Sequence, residues 1–187
     1  MSYNPYAPPE VAVEAAPGAD ATAPLFFPVT PFKLGVMSVC TLGLYQVYWF
    51  YMNWRLVRMR DRSTLWPVPR ALFGVFFCYA LFARIGRDGA ARSIAGAPAM
   101  GWLAALWIVL TIAWRLPDPA WLVAMFSFVA LLPVQAYANR VNAAAAPRHE
   151  PNRGFTALNW VAIVAGGSLW LLAIVGMFAS AGAALDH

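Results

Sequence analysis

The sequence predicts an all-α fold, a bundle of transmembrane helices, on three observations. Of its 187 residues, 61% are hydrophobic and 11% charged, whereas soluble domains carry about a quarter charged residues. The mean hydropathy is +0.60. The apolar residues also gather in runs separated by short Arg- and Pro-containing stretches, which is the pattern of spans and loops.

Taken in order, the chain opens on MSYNPYAPPEVAVEAAPGADATAP, whose only charges are Glu10, Glu14 and Asp20. It lacks the basic and apolar regions of a signal peptide. It has too little apolar surface to order itself, so residues 1–31 are expected to form a disordered Pro/Ala-rich tail. A transmembrane helical domain is expected over 32–182, with a short C-terminal tail at 183–187.

The first long run, residues 34–54, would reach about 31 Å as one helix, enough for a hydrocarbon core. Tyr45, Tyr48, Trp49, Tyr51 and Trp54, followed by Arg55 and Arg58, end it as a membrane interface would. Its length favours a full span. Thr41-Leu-Gly43 in the middle also allows a re-entrant hairpin, which would keep the tail on the cytoplasmic side. Ala71 to Ala83 is apolar for only 13 residues, short for a span. Ala99 to Trp114, Ala120 to Ala138 with Pro133 inside it, and Leu158 to Ala181 complete the set.

Arginine placement chooses among topologies. If 71–83 crosses, the thirteen basic residues divide six against seven. If it does not, residues 55–98 and 139–157 share a side and hold eleven Arg, leaving Lys33 and Arg115 opposite. That asymmetry is what the positive-inside rule expects. The expected architecture is therefore about four spanning helices plus one short interfacial or re-entrant helix.

Two stretches are familiar as patterns. NPYAPPEVAV at residues 4–13 resembles an N-terminal tail found on bacterial multi-pass membrane proteins of unknown role. FKLGVMSVCTLGLYQVYWFYMNWR at 32–55 is similar to the opening of uncharacterised bacterial membrane families that share Thr-x-Gly-x-Tyr-x-x-Tyr-Trp. The matching residues here are Thr41, Gly43, Tyr45, Tyr48 and Trp49, and WPVPRALFGVFFCYALF at 66–82 looks like a continuation of the same pattern. The resemblance covers about a third of the chain. It implies a bacterial inner-membrane protein and no particular activity.

Chemistry at membrane depth needs ionisable groups there, and all eight acids fall outside the apolar runs. His149 lies in a loop and His187 at the terminus, and no HExxH is present. Cys40 and Cys78 sit singly in apolar runs, so neither a disulfide framework nor a metal site is expected. Asp88-Gly-Ala-Ala-Arg92 resembles the DGxxAR opening of CDP-alcohol phosphotransferases. Its spacing is one residue short and no downstream Gly-xxx-Asp-xxx-Asp follows, so a solvated loop is the expected state. No catalytic residue, metal or cofactor is assigned.

Two groups remain as candidate contact residues. Arg55, Arg58, Arg60 and Arg62 are placed to meet anionic lipid or a cytoplasmic partner. Ala162 with Gly166, and Gly176 with Ser180, form small-xxx-small pairs for close helix packing, within the bundle or between copies. Polar residues inside the spans, among them Ser38, Gln46, Asn53, Thr111, Ser127 and Gln135, are expected to hydrogen-bond between helices. The expected role is an accessory or protein-interaction component with an Arg-rich cytoplasmic face. The alternative is a small oligomeric transporter or channel. Membrane lipids and a membrane-protein partner or second copy are the expected partners, and nucleic acid is not.

Overall fold

The structure is a computed structural model that describes residues 23–117 and 119–185, with side chains described through Ala173 and at 175 and 176. The expectation for residues 1–22 lies outside the described residues. What is described is all-helical: α1 (Pro31–Cys40), α2 (Leu44–Asp61), α3 (Pro67–Leu72), α4 (Gly74–Ala90), α5 (Met100–Ile112), α6 (Phe128–Ala145) and α7 (Ala157–Leu185). A 3-10 turn at Ala113–Arg115 extends α5, and a 3-10 segment at Ala120–Ser127 leads into α6.

The first long run is two helices. Thr30 caps α1, its hydroxyl accepting from Lys33 N, and Pro31 enters the first turn, where a missing N–H costs nothing. At the other end Leu42 and Gly43 take positive φ of 52° and 89°, a conformation cheap only for glycine. The Thr41 hydroxyl donates to Met37 O at 2.7 Å and accepts from Tyr45 N at 2.9 Å. One side chain thus closes α1 and opens α2. The chain doubles back, because Phe27 N donates to Asn53 Oδ1 at 3.1 Å and the rings of Phe27 and Tyr48 meet edge-on. The single helix favoured by length over 34–54 is replaced by a hairpin.

A second hairpin follows. The chain after Asp61 returns along α2, and Leu72 reaches the turn at Leu42–Leu44, where these residues line a common cavity. Phe73 then breaks the helix, and α4 runs back. Gly74 is needed at this reversal, since a Cβ there would stand 3.1 Å from Trp107 and 3.6 Å from Phe50. At the far end of α4, Asp88 pairs with Arg60 at 2.8 Å and Arg84 with Asp61 at 2.5 Å. Both limbs around 71–83 therefore return to one end of the bundle. Asp88 lies in the last turns of α4, not in the loop expected.

From there α5 rises beside α4, with Gly101 against Tyr79 and Trp107 against Gly74, and α6 descends. The helix persists through Ala145, so Arg140, expected in a loop, is on α6. The departure from α geometry falls in Ala120–Ser127, ahead of Pro133, which sits inside α6. A proline removes one backbone donor and crowds the preceding turn. The last helix, α7, rises along α1, where Trp170 Nε1 donates to Val39 O at 3.0 Å.

The core is aromatic. Trp49, Phe50 and Phe82 are buried, with Phe50 stacked on Phe82 at 3° between planes and tilted against Trp107 at 4.8 Å. Phe26, Phe27 and Val29 join this core at 0 to 4% exposure. The end of the expected tail, residues 25–31, is therefore part of the bundle. Among the described residues one stretch, Ala120–Ala145, is long and apolar enough to cross a membrane, at 26 residues and mean hydropathy 1.7. Pro31–Cys40, Met100–Arg115 and Ala157–Ala173 are apolar but shorter.

Candidate functional site

Two features at one end of the bundle stand out, a clamp of amide side chains and the arginines beside it. The clamp holds the non-helical segment Phe26 to Val29 that precedes α1. A non-helical backbone buried between helices has no helical ladder to satisfy it, and each unpaired polar group would cost about 1–3 kcal/mol. Side-chain amides supply the partners instead. Asn142 takes both polar groups of Phe26, accepting from its N–H at 2.9 Å and donating to its carbonyl at 2.8 Å. Phe27 N–H goes to Asn53 and Phe27 O receives Gln135 Nε2 at 2.9 Å. Asn139 donates to Val29 O, and Asn152 N donates to Pro28 O.

The clamp is itself cross-braced. Gln135 also donates to Asn139 Oδ1 and accepts from Trp49 Nε1 at 2.5 Å, while Asn53 Nδ2 donates to Trp49 O. Gln135, Asn139 and Asn142 fall at i, i+4 and i+7 on α6, which puts all three on one helix face. That spacing is the signal by which the sequence could have disclosed the clamp. The expected interhelix bonds of Gln46, Ser127 and Gln135 are present, whereas Asn53 bonds within α2 and to the segment before α1, and Ser38 Oγ and Thr111 Oγ1 are buried with no partner among the described residues. Nearer the opposite end, Gln46 accepts from Trp107 Nε1 at 2.7 Å and donates to Ser127 Oγ at 2.9 Å.

The arginines divide by role. Arg60 is held, paired to Asp88 and Asp61 and lying 5.5 Å over the Phe26 ring. Arg55, Arg58 and Arg62 are exposed, and none has a carboxylate within 4.0 Å among the described residues. Arg70 packs over Trp54 at 4.7 Å and Phe77 at 5.0 Å. Arg140 donates to Ala95 O and Gly96 O, fastening the loop before α5. Lys33, grouped by sequence with Arg115, instead reaches Asn152 and Gly154 at the basic end. Arg115 is left alone at the other.

The small-residue pairs separate. Ala162 packs against the core, and Gly166 lies so close to the Cys40 carbonyl that an added Cβ would overlap it. Among the described residues an added Cβ at Gly176 meets nothing within 4 Å, and the Ser180 side chain lies outside the described residues. Among the described residues no three His, Cys, Asp or Glu side chains converge as a metal site. The chain matches no family model, no curated protein and no solved structure.

Proposed function

We propose that this chain is a multi-pass protein of a bacterial inner membrane that serves as an accessory or interaction component, presenting an Arg-rich face to the cytoplasm. Membrane residence is supported by the surface: among the described residues thirty large apolar side chains are exposed, including Phe76 at 77%, Trp102 at 80% and Leu158 at 77%. Water-soluble proteins rarely expose contiguous apolar patches beyond a few hundred Å². In this reading α5, the stretch Ala120–Ala145 and α7 cross the bilayer. The hairpins α1–α2 and α3–α4 enter and leave from the cytoplasmic side. That makes three crossings and two re-entrant hairpins, against the four and one expected, because the 34–54 run doubles back.

Topology has a direct check. In a variant lacking Cys40 and Cys78, single cysteines at Ala23, Thr64, Ala95 and Glu150 should resist an impermeant thiol reagent in intact cells. A cysteine at Leu116 should react. Labelling at Thr64 or Glu150 comparable to that at Leu116 would invert or dismantle the arrangement.

The observation that carries the interaction reading is the division among the arginines. Arg60 is neutralised within the fold, while Arg55, Arg58 and Arg62 project without a counter-charge among the described residues. Such a triplet attracts acidic surfaces, with each charge worth about 1 kcal/mol against an anionic membrane and less against a screened protein patch. Changing the three to Gln should abolish co-purification of a stoichiometric partner in mild detergent while leaving the labelling pattern intact. Asp61→Asn and Asp88→Asn remove half-buried ion pairs worth about 1 kcal/mol and should leave co-purification in place. A partner that survives the Arg change but not the Asp changes would refute this reading.

The transporter alternative has one observation in its favour. A cavity of 320 Å³ lies among Leu42, Gln46, Trp107, Thr111 and Ser127, and a reconstituted flux assay would measure whether it conducts.

A further inference from the structure

Lys33 is the most deeply buried cation of the chain, 2% exposed, although it stands at the start of a helix. Its ammonium donates to Asn152 Oδ1 at 2.7 Å and Gly154 O at 2.6 Å, and lies 5.6 Å over the Phe155 ring. All of these are neutral. Among the described residues no carboxylate lies within 4.0 Å of it, and the ion pairs present join Asp61 and Asp88 to Arg60 and Arg84. A buried charge without a counter-charge is costly, and burial accordingly holds this ammonium below its ordinary pKa. An ammonium has three N–H donors, so one remains beyond the two used here.

Lys33 borders a cleft of 330 Å³ bounded by α1, α2, the 152–156 loop and the first turns of α7. Tyr45, Tyr48 and Asn159 line it with neutral hydrogen-bonding groups, and Met37, Leu158 and Ala162 line it with apolar ones. Asn159 Oδ1 is occupied by Thr156 N, which leaves its amide N–H₂ to donate. Cation, hydroxyls and amide all line the cleft as potential donors, and none of the lining residues is acidic. Leu158 is exposed at 77%, so the apolar wall continues onto the surface of the bundle.

We infer that this cleft binds the phosphate ester of an anionic amphiphile, with Lys33 supplying the counter-charge, Tyr45 and Asn159 the neutral donors, and Met37 and Leu158 the bed for an acyl chain. The oxyanion chemistry is shared by a phospholipid headgroup and by free phosphate. The acyl bed favours the lipid, and this part rests on the membrane reading above. The anion site itself does not.

The test is a titration of the full chain in mild detergent, followed by tryptophan fluorescence, with three probes: a soluble short-chain phosphatidylglycerol, the matching phosphatidylcholine, and inorganic phosphate. Phosphatidylglycerol should saturate one site per chain and bind about tenfold tighter than phosphatidylcholine. Inorganic phosphate should compete weakly. Lys33→Met should weaken the lipid about ten- to hundredfold, as loss of a charge-assisted hydrogen bond does. Lys33→Arg should retain most of the affinity, and Tyr45→Phe should lose a few-fold. If Lys33→Met does not fold, Lys33→Arg with Asn159→Ala carries the comparison.

Phosphate binding as tightly as the lipid, still dependent on Lys33, would uphold the anion site and overturn the acyl bed. Equal affinity in Lys33→Met, or an equal loss in Arg87→Gln on the exposed end of α4, would reduce binding to surface charge and overturn the inference. The probes are soluble, so the outcome is independent of the labelling result, and either reading can fail alone.

Discussion

Gln135→Leu should be the most damaging conservative-size substitution in the chain, lowering stability by about 3–5 kcal/mol. The side chain is fully buried and joins α2, α6 and the segment before α1: it receives Trp49 Nε1 and donates to Phe27 O and Asn139 Oδ1. Leucine fills a similar volume, so no cavity is made. The cost comes from the partners, because an orphaned buried donor or acceptor forfeits about 1–3 kcal/mol. Trp49 Nε1 and Phe27 O are both enclosed, and Asn139, being half-buried, regains part of its loss from solvent. Interhelix hydrogen bonds in membrane proteins average nearer 0.6 kcal/mol, because the unfolded chain also finds partners in lipid. The larger figure applies here since two of the three bonds hold groups that cannot turn away. Thermal unfolding in detergent measures it. Asn139→Leu, also on the clamp face, should cost less than half as much. A Gln135→Leu midpoint within a degree or two of the unmodified protein would mean the segment is not held as described.

Gly166→Ala should separate α7 from α1, at a cost of about 2–3 kcal/mol. Adding a methyl to a packed core costs about 1–3 kcal/mol when neighbours can shift. Here the obstacle is the backbone carbonyl of Cys40 rather than a side chain. That carbonyl cannot swing aside, because the Thr41 hydroxyl and the positive-φ pair at Leu42 and Gly43 fix the end of α1. Relief requires moving the whole of α7, which also breaks the bond from Trp170 Nε1 to Val39 O. Gly176→Ala is the internal control. An added Cβ there meets nothing within 4 Å among the described residues, and the better helix propensity of alanine makes the substitution neutral or slightly stabilising. Equal midpoints for the two variants would show that the close approach at Gly166 does not exist in solution.

These results sort what was legible in advance. The helical class followed from composition, because apolar runs of this length separated by Arg and Pro leave few other ways to satisfy the backbone. The clustering of basic residues at one end was legible too, since it is a property of the loops and of no particular fold. Lys33 was misplaced with Arg115 because its neighbours in sequence do not reveal that Asn152 and Gly154 come to meet it.

The hairpin at Thr41–Gly43 had a local signal, a hydroxyl and a glycine where a helix should be unbroken, but that signal permits a bend or a reversal equally. What decides is distant: Phe26 and Phe27 find Asn53, Gln135 and Asn142, partners 26 to 116 residues away, only if the chain turns back. The same reason accounts for residues 25–31. Their own composition provides too little to order them, and their burial depends on amides presented by two separate helices. The sequence by itself thus determined the helical class, the apolar runs and the charged end. The tertiary structure alone decided which runs reverse and where the N-terminal segment is held. Local propensity and hydropathy act over a few turns of helix, whereas the hydrogen bonds that choose between a span and a hairpin join residues that meet only once the bundle has assembled.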